Sequence, residues 1–271
     1  MNDSFSKLAI LIPSFNPDQN LLDLVVGLST ISWNEIIIVD DGSSNKSKIF
    51  FDKLKAFDNV HVITHSNNQG KGAALKTGIA YVNNKATRPD GVITVDSDGQ
   101  HLIEDIKKIA KSVEGRENDV IFGVRSFGEG TPFRSKFGNK ITKHLLYIFS
   151  GISVDDTQTG LRYLPMSIFS ELLTLPGNNY EYLKFIFIIF SELLTLPGNN
   201  YEYELECLFA IKRLGYNITQ IRIKTVYLND NDGSHFRPIV DSARIYMVFA
   251  RFSLSSLLSF GLDIAIFALF L

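Results

Sequence analysis

Short apolar runs alternate with segments of helical periodicity along the first half of the chain. The apolar runs predict strands over residues 8–12, 35–39, 60–64, 92–95 and 120–123. The segments between them predict helices over residues 21–29, 47–57, 71–83 and 103–113. This alternation is typical of an α/β fold, in which a mostly parallel central sheet has helices on both faces. In such folds ligands bind beyond the carboxyl ends of the strands.

The segment VDSDGQH, at residues 95–101, is the most informative polar motif at a predicted strand end. Its two carboxylates, Asp96 and Asp98, are two residues apart, so an extended backbone points both to the same side. A hard divalent cation is the usual reason to hold two carboxylates together. A polar turn of the same composition is the alternative interpretation.

Composition limits the classes of partner. The chain has 271 residues and a formal net charge of −2, which argues against a strongly electrostatic nucleic-acid partner. Cys207 is the single cysteine, so no internal disulfide can form. The first apolar run, residues 8–12, is too short for the core of a signal peptide, and we therefore expect the N-terminal domain in the cytoplasm.

The C-terminal segment has a different character. Residues 252–271 contain a single charge, Asp263, over a length that predicts a membrane-spanning helix. A buried docking helix is the alternative. Arg244 and Arg251 precede the segment, which favours a cytoplasmic position for the domain before it. We therefore predict a domain over 1–243 and, over 244–271, the start of a membrane region at the cytoplasmic membrane.

An exact repeat interrupts the second half of the chain. Residues 168–182 and 189–203 are identical over fifteen positions, at an offset of 21 residues. Two perfect copies are too few and too similar for a solenoid. The upstream context favours the first copy for a helix over 168–175, and the downstream context favours the second copy for a helix that ends near Gly215. About 21 residues, roughly 176–196, are then surplus to the fold.

Several common fingerprints are missing from the sequence. No G-x-G-x-x-G follows the first strand, residues 70–77 do not have P-loop spacing, and neither zinc-ligand spacing nor a G-x-S-x-G elbow occurs. The motifs that do occur fit a nucleotide-sugar site. Asp40 and Asp41 end the second strand, where carboxylates can accept hydrogen bonds from a base or a ribose. Gly70 and Lys71 precede a helix, where a cation and backbone donors can meet a diphosphate.

The order and spacing of these motifs resemble the family 2 glycosyltransferases of GT-A fold, and among them the polyprenyl-phosphate (dolichol-phosphate-like) enzymes. The resemblance rests on IPSFN, IIIVDDGSS, NQGKGAALKTG, VDSDGQH, GVR and DTQTGLR, at 12–16, 36–44, 68–78, 95–101, 123–125 and 156–162. Residues 234–242 are similar to the C-terminal signature of bacterial members, some of which carry a small C-terminal membrane domain. The Q-x-x-R-W motif of processive polysaccharide synthases is absent, because Trp33 is the single tryptophan.

The resemblance implies an inverting transferase that moves a hexose from a UDP- or GDP-linked donor to polyprenyl phosphate in the membrane lipid. It implies that Mg²⁺ or Mn²⁺ is held on the donor diphosphate by Asp96, Asp98 and Gln100. Contacts to the nucleotide sugar are implied for Pro13, Asn16, Asp40, Asp41, Gly70, Lys71 and Asp96. Contacts to the acceptor phosphate are implied for Arg125, Arg134, Ser234, His235 and Arg237.

The catalytic contributions that the resemblance implies fall on Asp98, Asp156, Arg162 and Arg237. A phosphate acceptor is already anionic near neutral pH, so a strong general base is unnecessary. Asp156 therefore either orients the sugar, assists as a base or braces its loop. We interpret His61, His65 and His144 as structural.

Other interpretations stay open at the level of sequence. The acceptor can instead be a glycan, or the protein can be a non-catalytic binder of nucleotide sugar or lipid phosphate that the repeat has disabled. Residues 136–150 combine lysines with an apolar run, which is typical of either a membrane-surface helix or a packed amphipathic helix. A homo-oligomer is compatible with the sequence.

Overall fold

The computed structural model describes residues 5–125, 142–144, 146–148, 151–157, 159–174 and 202–224. Within these residues, seven strands form one sheet in the order β3-β2-β1-β4-β6-β5-β7. The strands are β1 (Leu8–Ser14), β2 (Glu35–Asp40), β3 (Val60–Thr64), β4 (Gly91–Thr94), β5 (Val120–Arg125), β6 (Arg162–Pro165) and β7 (Ile218–Ile223). The α/β fold with a mostly parallel sheet is therefore confirmed.

Helices cover the sheet and begin close to the predicted positions. They are α1 (Gln19–Ser29), α2 (Lys48–Leu54), α3 (Lys71–Asn83), α4 (Ile103–Ser112), α5 (Phe169–Thr174) and α6 (Glu202–Arg213). Helix α1 shows why the pattern works, because its buried residues recur at helical spacing and Asp18 caps its start by accepting from the Asn20 N–H. The predicted ends of β3 and α3 are confirmed to the residue.

Strand β1 lies at the centre and explains the two-sided core. All seven of its residues are buried, and it pairs in parallel with both β2 and β4. Ala9 and Leu11 face one hydrophobic core with α3, α5 and α6, whereas Leu8, Ile10 and Ile12 face the other with α1, α2 and α4. A strand that is buried on both faces reads as a continuous apolar run.

Strand β6 runs against its neighbours. It is antiparallel to both β4 and β5, with Arg162 opposite Thr94 on one side and Phe122 on the other. Because β6 is reversed, the residues before it lie beside the carboxyl end of β4. The Thr94 hydroxyl donates to the carbonyl of Gly160 at 2.7 Å and fixes this meeting. The sequence pattern did not indicate this strand.

The two helices predicted on either side of the surplus residues are present among the described residues. The first copy forms α5, and the last two residues of the second copy, Glu202 and Tyr203, begin α6. The Tyr203 hydroxyl donates to the Leu172 carbonyl at 3.3 Å, which joins the two helices. Residues 176–196 lie outside the described part of the chain, as does the predicted membrane segment 252–271. No helix within the described residues has the length and apolar character to span a bilayer.

Candidate functional site

The loops after β1 and β2 are tied together at the carboxyl edge of the sheet. The Asn16 N–H donates to the Ser43 hydroxyl at 2.8 Å, and the Ser44 N–H donates to the Asn16 side-chain oxygen at 2.8 Å. Asn16 adopts a left-handed φ of 49°, a region that asparagine tolerates better than most residues. Asp40 is buried and accepts from the Ser43 N–H at 2.9 Å. The predicted contact residues of these two loops therefore lie together, beside the buried Pro13 of β1.

Asp41 braces the loop that follows β3. It is 2% exposed. Its carboxylate accepts from the backbone N–H groups of Gln69 and Gly70 at 2.9 and 2.7 Å, and it pairs with the His65 ring nitrogen at 2.7 Å. The other ring nitrogen of His65 bonds to the Thr77 hydroxyl at 2.9 Å, so the structural role predicted for His65 is confirmed. Because both Asp41 oxygens are engaged in this way, we assign Asp41 to loop support rather than to the nucleotide.

Two glycines allow the loops after β2 and β3 to pack backbone against backbone. Gly42 has a φ of 72°, and a Cβ at that position would collide with the main chain of Asn67 and Asn68. Gly70 has a φ of 99° immediately before α3. These conformations are ones that side chains oppose. They bring the amino end of α3, with Lys71 as its first residue, to the edge of the site.

Lys71 links three elements through two ion pairs. Its ammonium lies 2.7 Å from Asp96 Oδ1, after β4, and 2.8 Å from Glu204 Oε1, on α6. The Asp96 side chain is 26% exposed, whereas the Glu204 side chain is buried. Lys71 therefore joins the predicted donor-binding edge to the helix that follows the repeat.

The surroundings shift the pKa values of Asp96 and Asp98, the two acids after β4, in opposite directions. Burial raises the pKa of Asp96, but Lys71 and His101 outweigh it and hold that pKa well below its usual range. Burial and the neighbouring Asp96 charge raise the pKa of Asp98, although the Gln100 N–H donates to Asp98 at 3.0 Å. Neighbouring acids whose pKa values are shifted apart are typical of functional sites.

The donor atoms at this edge suit a hard cation that is bound together with a phosphate. Within the part of the chain that the structure describes, no group of three His, Cys, Asp or Glu side chains could hold a metal ion. Asp96 and Asp98 supply carboxylate oxygens, and Mg²⁺ or Mn²⁺ accepts such ligands while sharing phosphate oxygens and water. The residues therefore fit the predicted ion as a partner of a diphosphate.

Arg125 and Asp156 form a buried ion pair next to this edge. The guanidinium donates to both carboxylate oxygens, at 2.5 and 2.9 Å, and the Arg125 backbone N–H donates at 3.3 Å. Asp156 has no exposed surface. This geometry favours the bracing role among the three roles considered for Asp156, and it fixes the direction of the Arg125 side chain at the end of β5.

Arg162 is also a supporting residue. It is 4% exposed, and its guanidinium lies 4.8 Å from the centre of the Phe122 ring. Its nitrogens donate to the carbonyls of Thr157, Thr159 and Glu204 at 3.2, 2.8 and 3.2 Å. These donors hold the backbone around Thr157 and Thr159 against α6, which is a supporting role, and the catalytic contribution expected of Arg162 stays a prediction.

Three residues of the site escaped the assignment of roles from sequence. Glu204 binds Lys71, His101 lies 3.5 Å from Asp96, and a Cβ at Gly160 would collide with the Asp96 carboxylate. Gly160 and His101 stand inside motifs already noted, but a motif does not say which side chain faces which. The other acceptor residues expected from sequence, Arg134, Ser234, His235 and Arg237, lie outside the described residues.

Comparison with known proteins places this chain in a family of transferases. The family described as Glycosyl transferase family 2 matches residues 9–173, more than half of the chain. The chain therefore belongs to the family 2 glycosyltransferases, as the motifs indicated.

Several curated relatives are named as transferases to a lipid phosphate. The UDP-N-acetylglucosamine–dolichyl-phosphate N-acetylglucosaminyltransferase of Methanococcus voltae is 27% identical over 236 residues, which are 80% of this chain and 85% of that protein. A dolichyl-phosphate β-glucosyltransferase of Trichomonas vaginalis is 29% identical over 57% of this chain and 52% of its own length. An undecaprenyl-phosphate 4-deoxy-4-formamido-L-arabinose transferase of Salmonella paratyphi B is 30% identical over 62% of this chain. The chain spans about half the length of the last two relatives.

Solved structures confirm the GT-A fold. Glucosyl-3-phosphoglycerate synthase from Mycobacterium tuberculosis, in complex with Mn²⁺, UDP and phosphoglyceric acid, has a TM-score of 0.62 and 17% identity. The match covers 92% of this chain and 77% of that one. At this identity the likeness concerns the fold alone.

Proposed function

We propose that this protein transfers a hexose from a UDP- or GDP-sugar to polyprenyl phosphate, with inversion, at the cytoplasmic face of the membrane. The observation that carries the proposal is the arrangement of Asp96 and Asp98 after β4, with Asp96 paired to the Lys71 ammonium. The names of the relatives support the lipid phosphate as acceptor.

The donor half of the reaction needs a counter-charge for the departing nucleoside diphosphate. A divalent ion held by Asp96 and Asp98, with Gln100 beside them, would supply that charge. Lys71 adds a second positive charge at the amino end of α3, where backbone donors also favour phosphate. Its second partner, Glu204, would keep the ammonium at this place when Asp96 also binds the cation.

The acceptor half needs position more than proton transfer. A lipid phosphate is anionic near neutral pH and can attack the anomeric carbon from the face opposite the nucleotide. Arg125, held in direction by Asp156, is the candidate contact for that phosphate among the described residues. Arg134, Ser234, His235 and Arg237 are candidates from sequence. Arginine suits the role because its planar fork pairs with phosphate oxygens.

The competing proposal is a binding protein that the repeat has disabled. That proposal requires α6 to be displaced from the site. Instead, Glu204 of α6 reaches Lys71 at 2.8 Å, and Arg162 donates to the Glu204 carbonyl. We therefore favour catalysis.

A transfer assay tests the proposal. Purified protein is incubated with Mg²⁺ or Mn²⁺, polyprenyl phosphate and a panel of labelled UDP- and GDP-sugars, and the label is extracted into organic solvent. We expect one donor to label the lipid phase and Asp98→Ala to abolish the labelling. Asp52→Ala is the matched control, because Asp52 is an exposed acid on α2 whose partner is Lys55, just after the helix.

The outcomes separate the alternatives. Label in an aqueous glycan would replace the lipid acceptor with a glycan acceptor. Donor binding without transfer from any sugar would favour the non-catalytic binder. Transfer that survives in Asp98→Ala would refute the role of the acid pair.

A further inference from the structure

His101 is a buried polar side chain that the reaction scheme above does not use. It is 6% exposed, and neither of its ring nitrogens has a hydrogen-bond partner among the residues that the structure describes. Leaving buried polar atoms unpaired costs about 1–3 kcal/mol. At this buried position, a histidine whose ring nitrogens have no role would be less favourable than an apolar residue of similar size. We therefore expect the ring nitrogens of His101 to have a role.

The ring of His101 is directed at one oxygen of Asp96. Its Nε2 atom lies 3.5 Å from Asp96 Oδ2, whereas Lys71 holds the other oxygen, Oδ1, at 2.7 Å. A separation of 3.5 Å is longer than an N–H···O hydrogen bond. Hydrogen bonds at catalytic sites are often long without ligand and tighten in the complex.

The position of His101 is set by a firmly anchored helix. The residue stands two positions before α4, whose apolar side is buried in the core. Asp105, near the start of α4, accepts from the Lys224 N–H at 2.9 Å, and Lys108 donates to the Arg222 carbonyl at 2.6 Å. Helix α4 is thus fixed to the end of β7, and the imidazole follows it.

Gly160 forms another wall around Asp96. A Cβ on Gly160 would overlap the Asp96 carboxylate, so the carboxylate lies against bare backbone. The Thr94 hydroxyl holds the Gly160 carbonyl at 2.7 Å, which fixes that wall to β4 itself. The Asp96 carboxylate therefore has a defined slot between Gly160, Lys71 and His101.

We propose that His101 is a positioning residue, which holds Asp96 in its slot against Gly160 so that the carboxylate meets the donor diphosphate and its cation in one orientation. This inference rests on the proposed function, because it assumes that Asp96 meets a nucleotide-bound cation. Groups around a metal ligand commonly change metal affinity by 10–100-fold when they are removed.

Binding of Mn²⁺ in the presence of UDP tests the inference without any turnover. Free Mn²⁺ is followed by electron paramagnetic resonance for wild type, His101→Leu and His101→Gln. We expect Leu to weaken Mn²⁺ binding about tenfold. Glutamine keeps an N–H donor at a reach similar to Nε2, so His101→Gln should bind Mn²⁺ close to the wild-type level.

The melting temperature distinguishes a positioning role of His101 from a packing role. Leucine removes the unpaired ring nitrogens, so His101→Leu should melt at the wild-type temperature or above it while its Mn²⁺ affinity falls. His61→Leu is the matched control, because His61 is a partly exposed histidine beside Glu35 at the other end of the sheet. It should leave Mn²⁺ affinity unchanged.

Four results are decisive. Tight Mn²⁺ binding by His101→Leu would overturn the inference, and so would equal losses in the Leu and Gln variants. If His101→Leu does not fold, His101→Asn decides instead, because its shorter amide should bind Mn²⁺ more weakly than His101→Gln. Wild-type protein that binds no Mn²⁺ with UDP would count against the proposed function rather than against His101.

Discussion

Two pairs of acids stand at strand ends in this protein, and they have different surroundings. Asp40 ends β2 and Asp41 follows it, whereas Asp96 and Asp98 follow β4. Asp41 is 2% exposed and accepts from two backbone amides. The Asp96 side chain is 26% exposed, against 4% for the Asp41 side chain, and it faces the side chains of Lys71 and His101. The first pair organises loops, and the second is available to a ligand.

The difference arises from what lies next to each strand end. Beyond β2, the loop after β3 folds over Asp41 and presents backbone N–H groups to it, because Gly42 and Gly70 allow close packing. Beyond β4, the neighbouring elements present the side chains of Lys71 and His101 instead of backbone N–H groups. The residue type at a strand end therefore does not decide whether a carboxylate is open to a ligand. That depends on which hydrogen-bond donors of the protein already reach the carboxylate.

The largest effect on activity should come from removing Asp96, the acid that lies in the slot between Gly160, Lys71 and His101. Asp96→Ala should lower donor kcat/KM by about 10³-fold, because the diphosphate loses its held counter-charge. The melting temperature should change little, since Lys71 keeps its pair with Glu204. Steady-state kinetics and thermal melting measure the two quantities, and undiminished turnover would remove Asp96 from the site.

The corresponding change in the first pair should act on stability. Asp41→Ala leaves two backbone amides and His65 without their acceptor, which should lower the free energy of unfolding by about 3–5 kcal/mol. Urea unfolding measures the loss. An unchanged unfolding free energy with a raised KM for the donor would return Asp41 to the nucleotide site.

A smaller effect should follow when one charge of the second pair is neutralised. The pKa of Asp98 is raised in the folded protein, so its ionised form lowers the free energy of unfolding at pH values above that pKa. This loss disappears as the pH falls toward the pKa of Asp98 in the unfolded chain. Asp98→Asn should therefore raise the melting temperature at neutral pH, by about 2–4 °C for each kcal/mol. The gain should shrink in acid. A gain that does not depend on pH would contradict the raised pKa.

The smallest effect should come from a change that leaves both pairs in place. Deleting residues 176–196 removes one copy of the repeat and leaves residues 175 and 197–201 to connect α5 with α6. A connection of this length is ordinary between packed helices. The Tyr203 hydroxyl already meets the Leu172 carbonyl, so folding and transfer should be kept or improved. A deletion variant that does not fold would show that the repeat is part of the domain.

The strands and helices of the first half were predictable because their signals are local. Residues 60–64 and 71–83 stand between polar and glycine-rich segments, and β3 and α3 begin and end there. Strand β6 was missed because it has four residues and ends at Pro165, and because the direction of a strand leaves no periodic mark. Strand β7 was missed although its sequence, ITQIRI, alternates.

The location of the site was predictable from the sequence, but the role of each residue in it was not. The motifs brought Asp96 and Asp98 to the correct edge, since strand ends of a parallel sheet share that edge. The role of Asp41 depends on backbone N–H groups 28 and 29 positions later in the chain, and Arg162 reaches the Glu204 carbonyl 42 positions later; an isolated sequence does not show these pairings. The pairing of Glu204 with Lys71 was not predicted for the same reason, because Lys71 lies 133 positions earlier in the chain.

The reversed strand also sets an order of assembly during synthesis. Strand β5 pairs with β6 and β7, both of which follow it in the chain, so it has no sheet partner when it emerges from the ribosome. A nascent chain that ends after β5 already carries all four strand-end acids but lacks Gly160 and Glu204. Pairing over such sequence distances is a slow step. Prematurely terminated products would therefore contain the acidic loops without the slot for Asp96, and they should be inert toward nucleotide sugars.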